Sequence, residues 1–95
     1  MYTSMDEIRS ANRQAGRHFF EAGTMSFFHS RIETGVIADE YFITSEQFED
    51  APRTFTVRRA DERGHIQTVG EIHQYRTQVA AELAVNKLAT LDDDV

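Results

Sequence analysis

Between Thr54 and Ile72 the chain carries two runs of alternating side chains separated by Asp61-Glu62-Arg63-Gly64, and no other feature narrows the fold as much. In the first run, Thr54 to Ala60, Phe55 and Val57 fall on one side and Thr54, Thr56 and Arg58 on the other, in β-favouring residue types. The second, His65 to Ile72, alternates through Ile66, Thr68, Gly70 and Ile72. Gly64 accepts the positive φ that closes a short turn, so the two runs are predicted to form an antiparallel hairpin. An isolated hairpin is marginal in water, and the rest of the chain must cover its apolar side. At 95 residues and 10.9 kDa there is chain for one core only. Cysteine is absent, which excludes disulfides and Cys-based zinc sites, leaves stability to packing, and fits a reducing cytosol. No apolar run approaches the roughly 20 residues of a bilayer span. Met1-Tyr2-Thr3-Ser4 also lacks the basic and apolar regions of a signal peptide. A cytoplasmic, unprocessed protein without membrane contact is the expectation.

The remaining elements follow from periodicity and caps. From Glu40, Tyr41, Ile43 and Ser45 alternate with Phe42 and Thr44 as a strand does, and Pro52 falls in the connection after it. Ser4-Met5-Asp6-Glu7 fits a capping box and Gly16 a left-handed stop, predicting a helix over 5–15 with a thin stripe of Met5, Ile8, Ala11 and Ala15. Thr24 is placed to cap a short helix over Met25 to Ser30, and Phe19, Phe20, Phe27 and Phe28 are predicted to fill the core. Thr77 caps a last helix in which Ala80, Leu83, Ala84, Leu88 and Leu91 recur at helical spacing. The fold class expected is α+β: N-terminal helices closing one end, a three-stranded antiparallel sheet, and a C-terminal helix packed on one sheet face. One domain spans 1–95, with an ordered core over 5–90 and an acidic tail over 91–95 that frays.

Sixteen acidic against ten basic residues give a net charge of −6, which repels phosphate backbones and anionic lipid on average. Glycine-rich phosphate loops, GxSxG elbows, HExxH helices and calcium loops are missing. His18, His29, His65 and His73 include no helical i, i+4 pair and read as ordinary boundary residues rather than metal ligands. Ser26, Ser30 and Ser45 have no base and orienting acid placed beside them by spacing, and Glu46 with Glu71 is a carboxylate pair of the kind that sixteen acids produce by coincidence. No catalytic, cofactor-binding or metal site is therefore assigned.

Three resemblances bear on function. The order helix, three antiparallel strands, helix, with Val69-Gly70-Glu71 followed by Thr77 to Leu88, resembles the double-stranded-RNA-binding domain over roughly half the chain. That family clamps RNA phosphates with a lysine cluster at the start of its final helix, where this chain has Gln78-Val79-Ala80-Ala81-Glu82, which removes the contact. The strand-strand-strand-helix end also resembles the arm-binding domains of phage integrases, without their basic face. A fuller resemblance is to a family of small uncharacterised accessory proteins carried by phages and prophages. It rests on Ala15-Gly16 before His18-Phe19-Phe20, Thr24-Met25 before Phe27-Phe28 and Ser30-Arg31, and Tyr41-Phe42 before Thr44-Ser45-Glu46-Gln47. Pro52-Arg53 before Phe55-Thr56-Val57-Arg58, Thr68-Val69-Gly70-Glu71, and Tyr75 before Thr77 extend it along nearly the whole chain. The resemblance implies a binder that redirects or blocks host machinery.

The function expected is thus a non-enzymatic, protein-binding accessory factor of a phage or mobile element, an anti-CRISPR-like antagonist of host defence acting by occlusion or acidic mimicry. Its partner would be a host protein or complex, with homo-oligomer formation left open. The mimic's carboxylates would be Asp39, Glu40, Glu49, Asp50, Asp61 and Glu62. One alternative is nucleic-acid binding, disfavoured by net charge, through an outer sheet face where Thr54, Thr56 and Arg58 meet His65 and Gln67, with Arg53 and Arg59 nearby. Another is a small enzyme or ligand binder with an aromatic pocket built from Phe19, Phe20, Phe27 and Phe28.

Overall fold

The computed structural model describes residues 2–93. Its elements are α1 (Met5–Gln14), α2 (Ala22–Ser26), β1 (Arg31–Ile32), β2 (Tyr41–Glu46), β3 (Thr54–Ala60), β4 (Ile66–Val69) and α3 (Gln78–Asp93). The architecture is α+β, and the antiparallel sheet has four strands in the order β1-β2-β3-β4, not three. The extra strand, β1, is two residues long, too short for any alternation to announce it. Thr54–Ala60 forms β3 as its pattern requires, whereas β4 stops at Val69 because Gly70 turns to φ 80°. The chain then comes back beside β3 through an isolated pair, the Phe55 amide donating to the Tyr75 carbonyl at 2.7 Å and the Tyr75 amide to Phe55 at 3.0 Å.

Every residue of β2 is buried, because both faces of the sheet are covered. On one face, α3 packs Ala81 and Val85 against Tyr41, Ile43 and Val57, with Leu88, Phe55, Val69 and Tyr75 around them. Thr77 caps this helix as expected, its hydroxyl accepting from the Ala80 amide at 3.1 Å. The buried stripe is not the expected one. Leu83 and Leu91 are 65% and 58% exposed, and it is Ala81 and Val85, with Leu88 beside them, that face the strands. The helix also continues through the predicted tail to Asp93; the rest of that tail, Asp94 and Val95, lies outside the described residues.

The opposite face holds a second core, Tyr2, Ile8, Phe42 and Ala60, with Met5, Ala11, Phe19, Phe20, Ile32, Val36 and Ile66 packed on it. The N-terminal part therefore packs on a face of the sheet instead of closing an end. Helix α1 starts where Ser4 accepts from the Glu7 amide at 3.3 Å and stops before Gly16, at φ 74°. It buries Ile8 and, one turn on, Asn12. The Asn12 amide nitrogen donates to the Gly64 carbonyl at 2.8 Å and its oxygen accepts from the Phe19 amide at 3.2 Å. One side chain thus joins α1, the β3–β4 turn and the aromatic segment. Gly64 has φ 82° and sits against the Ala11 backbone, so a side chain there has no room. The short helix α2 begins three residues earlier than predicted, with Thr24 inside it and no side-chain cap, and none of its residues is buried. Of the four Phe expected in the core, Phe19 and Phe20 pack beside Phe42, Phe28 is half-buried and Phe27 is 75% exposed.

Candidate functional site

Strand pairing sets Thr44 opposite Thr56 and Arg58 opposite Thr68, on the face that α1 shares. That face has two ends. Phe42, Ala60 and Ile66 make the apolar end under α1, and Thr44, Glu46, Thr54, Thr56, Arg58 and Thr68 make a polar end under the aromatic segment. The expected solvated outer surface is therefore a buried polar layer: Glu46 is 1% exposed, Thr44 and Thr56 are fully buried, and Arg58 is 8% exposed.

Each polar group in this layer is held. The Arg58 guanidinium donates from Nε to Thr44 Oγ1 at 3.0 Å, from one terminal nitrogen to Thr68 Oγ1 at 2.6 Å, and from the other to Glu46 Oε2 at 3.5 Å. Glu46 Oε1 accepts from the Thr56 hydroxyl at 2.5 Å. His73 completes the layer: its backbone amide donates to Thr56 Oγ1 at 3.0 Å, and its Nδ1 lies 2.8 Å from Thr54 Oγ1 and 3.9 Å from Glu46 Oε1. Desolvation pulls the Arg58 pKa below its ordinary value against the opposing pull of the Glu46 charge. The Phe19 ring stacks over the guanidinium at 5.3 Å.

Above Glu46 and Arg58 opens a pocket of about 350 Å³. Its walls come from Phe19, Met25, Phe28 and Ser30, with Gly23, Thr24, Phe27 and Ile72 at the remaining positions. Phe27 and Ile72 are exposed, and Phe28 stands edge-on to Phe27 at 4.6 Å and to the His73 ring at 5.9 Å. Three of the four phenylalanines expected around a pocket, Phe19, Phe27 and Phe28, line it; Phe20 instead packs on Phe42. Glu46 is the floor carboxylate, whereas Glu71 sits on an exposed turn away from it. Spacing alone did not single out Arg58 and Glu46 as a pair, because they are twelve residues apart and meet only through the β2–β3 register. Ser45 faces the other way, donating to Glu33 at 2.6 Å and accepting from Arg53 at 2.9 Å, and Ser26 donates to the Gly23 carbonyl.

The acidic candidates divide into two groups. Asp39, Glu40, Asp61 and Glu62 lie at the end of the sheet where β2 begins and β3 finishes, and Glu49 and Asp50 lie in the connection at the other end. The six-residue length of β2 between them is about 20 Å at roughly 3.3 Å per residue, so they do not make one continuous patch. Glu40 is neutralised by Arg59 at 2.9 Å. Asp61 is a turn residue whose carboxylate accepts from the His65 and Arg63 amides at 3.0 and 2.9 Å, and the His65 amide above all holds its pKa low. The basic candidates also part company. Arg58 and Arg59, being adjacent in a strand, point to opposite faces, and Arg53 donates to the His29 carbonyl at 2.8 Å. Gln67 pairs with Arg59 and so belongs to the α3 face; Thr68 is the residue that meets Arg58.

Among the described residues no group of histidines and carboxylates has metal-binding geometry, and no helix is long and apolar enough to cross a membrane. No curated protein and no solved structure matches the chain. A family model does match, over residues 4–86, a span that runs from the α1 cap through the polar layer and pocket into α3; the chain belongs to the family of unknown function DUF7447.

Proposed function

We propose that the protein is a non-catalytic binding module that takes a small, mainly apolar group into the pocket between the aromatic segment and the polar end of the sheet. The observation that carries this reading is the buried Glu46–Arg58 pair at the floor of that pocket. Withdrawing two charges from water costs several kcal/mol per ion, and well-packed apolar residues would hold a sheet at least as well. Both side chains are nearly buried, Arg58 beneath the Phe19 ring, yet they also line the opening, and we read their use in what enters it. The volume of about 350 Å³ falls in the range of small-molecule sites, and the exposed Phe27 and Ile72 supply an apolar entrance. The test is a two-dimensional NMR titration with indole as an apolar probe. The expected result is saturable shifts at Glu46, Arg58, Phe28 and Ile72, weakened at least tenfold by Ile72→Glu; shifts scattered over the surface, or none, would overturn it.

A second reading is favoured by one observation, the exposure of Phe27 and Ile72 on the lining of the pocket, with the exposed Phe48 ring 6.1 Å from that of Phe28. Here the occupant is a side chain of a larger partner, anchored in the pocket while the rim excludes water. The chain would then be a protein-binding accessory factor of a phage or mobile element, acting in the cytosol on host machinery by occlusion and not through its divided carboxylates. It predicts a partner from host lysate that is retained by the wild type and lost with Phe27→Ser and Phe48→Ser together. No difference between the two forms removes it.

A further inference from the structure

A second opening lies at the end of the sheet where β2 finishes and β3 begins, a cleft of about 430 Å³ that shares only Met25 and Ser30 with the apolar pocket. Arg31, Arg53, His29 and Glu49 are on its lining. Strand register brings the two arginines together. Arg31 pairs with Ser45 across β1 and β2, so their side chains leave the sheet on the same face, with Cβ atoms about 5 Å apart. Ser45 Oγ donates to Glu33 at 2.6 Å and accepts from Arg53 Nη1 at 2.9 Å. Both arginines are thus based around one serine and border one cleft; Glu33, spent on that serine, is not on the lining. The Arg53 guanidinium is anchored by one corner. Nη1 carries two N–H groups, and both are engaged, by Ser45 and by the His29 carbonyl at 2.8 Å. Nε and Nη2 donate to no acceptor among the described residues. No side-chain nitrogen or oxygen without a partner is buried there, so in half-buried Arg53 this edge of the group is open to solvent. It is the planar fork that grips two oxygens on one atom. Arg31 is exposed, and among the described residues it forms no ion pair with Glu49, the carboxylate on the lining. His29 and Glu49 hold left-handed backbones, at φ 49° and 54°, a strained conformation that clusters at binding sites.

We infer that this cleft is a second binding site, for a small oxyanion such as a carboxylate or phosphate group, gripped side-on by Nε and Nη2 of Arg53 and neutralised by Arg31. Both ligand types present two oxygens on one atom, the complement of the open fork. The net charge of −6 does not oppose this at close range. With a Debye length of about 8 Å at physiological ionic strength, distant carboxylates are screened, and the lining carries two guanidiniums against one carboxylate. Glu49, of the same sign as the ligand, limits the affinity.

The experiment is an NMR titration of the unaltered chain with sodium phosphate, sodium acetate and sodium chloride at matched ionic strength, read at the Nε–H resonances of Arg31 and Arg53 and the backbone amide of His29. Phosphate or acetate is expected to shift these saturably, and chloride, which has no pair of oxygens, is not. Saturation by phosphate alone assigns a phosphoryl ligand, by acetate alone a carboxylate, and by both the shared class. Unsaturable shifts with all three salts, or equal shifts with chloride, overturn the inference. In a second arm, Arg31→Gln should weaken binding about fivefold or more, and Arg53→Lys, which keeps the charge and removes the fork, about tenfold. Glu49→Gln should tighten it about threefold, and Arg63→Gln, at an exposed arginine of another turn, should leave it unchanged. Unchanged binding in Arg31→Gln, or equal weakening by Arg63→Gln, overturns the inference by showing that only overall charge acts. Arg31 and Glu49 are exposed, so their variants carry the test should Arg53→Lys lower thermal stability.

Discussion

The two faces of the sheet solve the same problem differently. Against α3, Tyr41, Ile43 and Val57 meet Ala81 and Val85 in a layer of apolar contacts that continues into Phe55, Val69 and Leu88. Against the N-terminal half, the packing is apolar only at one end, around Ile8 and Phe42, and gives way at the other to threonines, a carboxylate and a guanidinium beneath an open pocket. A strand such as β2, whose alternate residues serve these two faces, carries Ile43 for one and Glu46 for the other three positions later. The first face holds the fold. The second combines holding with an exposed chemical surface, and its polar half is stable only as a complete set of partners.

The largest effect that can break this contrast is at the pair. Arg58→Ala leaves Glu46 buried and uncompensated and is expected to destabilise by about 3–5 kcal/mol in urea denaturation, whereas Glu46→Leu with Arg58→Met together should stay within about 1 kcal/mol of wild type or exceed it. A double variant as damaged as the single one would mean that the pair serves the fold and not the pocket. Next, Ile43→Ala and Ile8→Ala probe the apolar layers on the two faces; both residues are fully buried and each change should cost about 2–5 kcal/mol, read by thermal unfolding. A much smaller loss at Ile8 would sharpen the difference between a structural face and an adaptable one. A weaker effect is expected in acid. Because the His65 and Arg63 amides lower the folded pKa of Asp61, its contribution is complete above the unfolded value of about 3.9 and is lost as pH falls through the folded value; Asp61→Asn should flatten that limb of the stability profile. The smallest is Leu83→Ser, which should change stability by no more than about 0.5 kcal/mol because the side chain faces away from the sheet.

Local signals in the sequence were mostly legible, though not at Thr24, which lies inside α2 and not at its start. The caps at Ser4 and Thr77 and the alternation of β3 are local, and each matches the structure. The buried stripe of α3 was not legible, because Val79, Leu83 and Leu91 are as apolar as the Ala81, Val85 and Leu88 that the sheet covers, and only the sheet selects between them. The candidate site was partly legible. Phe19, Phe20, Phe27 and Phe28 group in the sequence as pocket formers, and all but Phe20 line it. Its floor is not legible because Thr54, Thr56 and Arg58 read as a solvated face shared with His65 and Gln67, and Glu46 pairs by sequence only with Glu71. The available clue was Phe42, a large apolar residue sharing that face, which requires a cover; a cover over Phe42 also shelters the polar residues two and four positions on.

The sheet ends on one side in two-residue β1 and on the other in four-residue β4, while the two longest strands lie between them with both backbone edges paired. An incoming extended chain finds too few free amides and carbonyls in register to extend the ladder, so the protein can keep β-rich segments such as Thr54–Ala60 at high concentration without seeding strand-to-strand assembly.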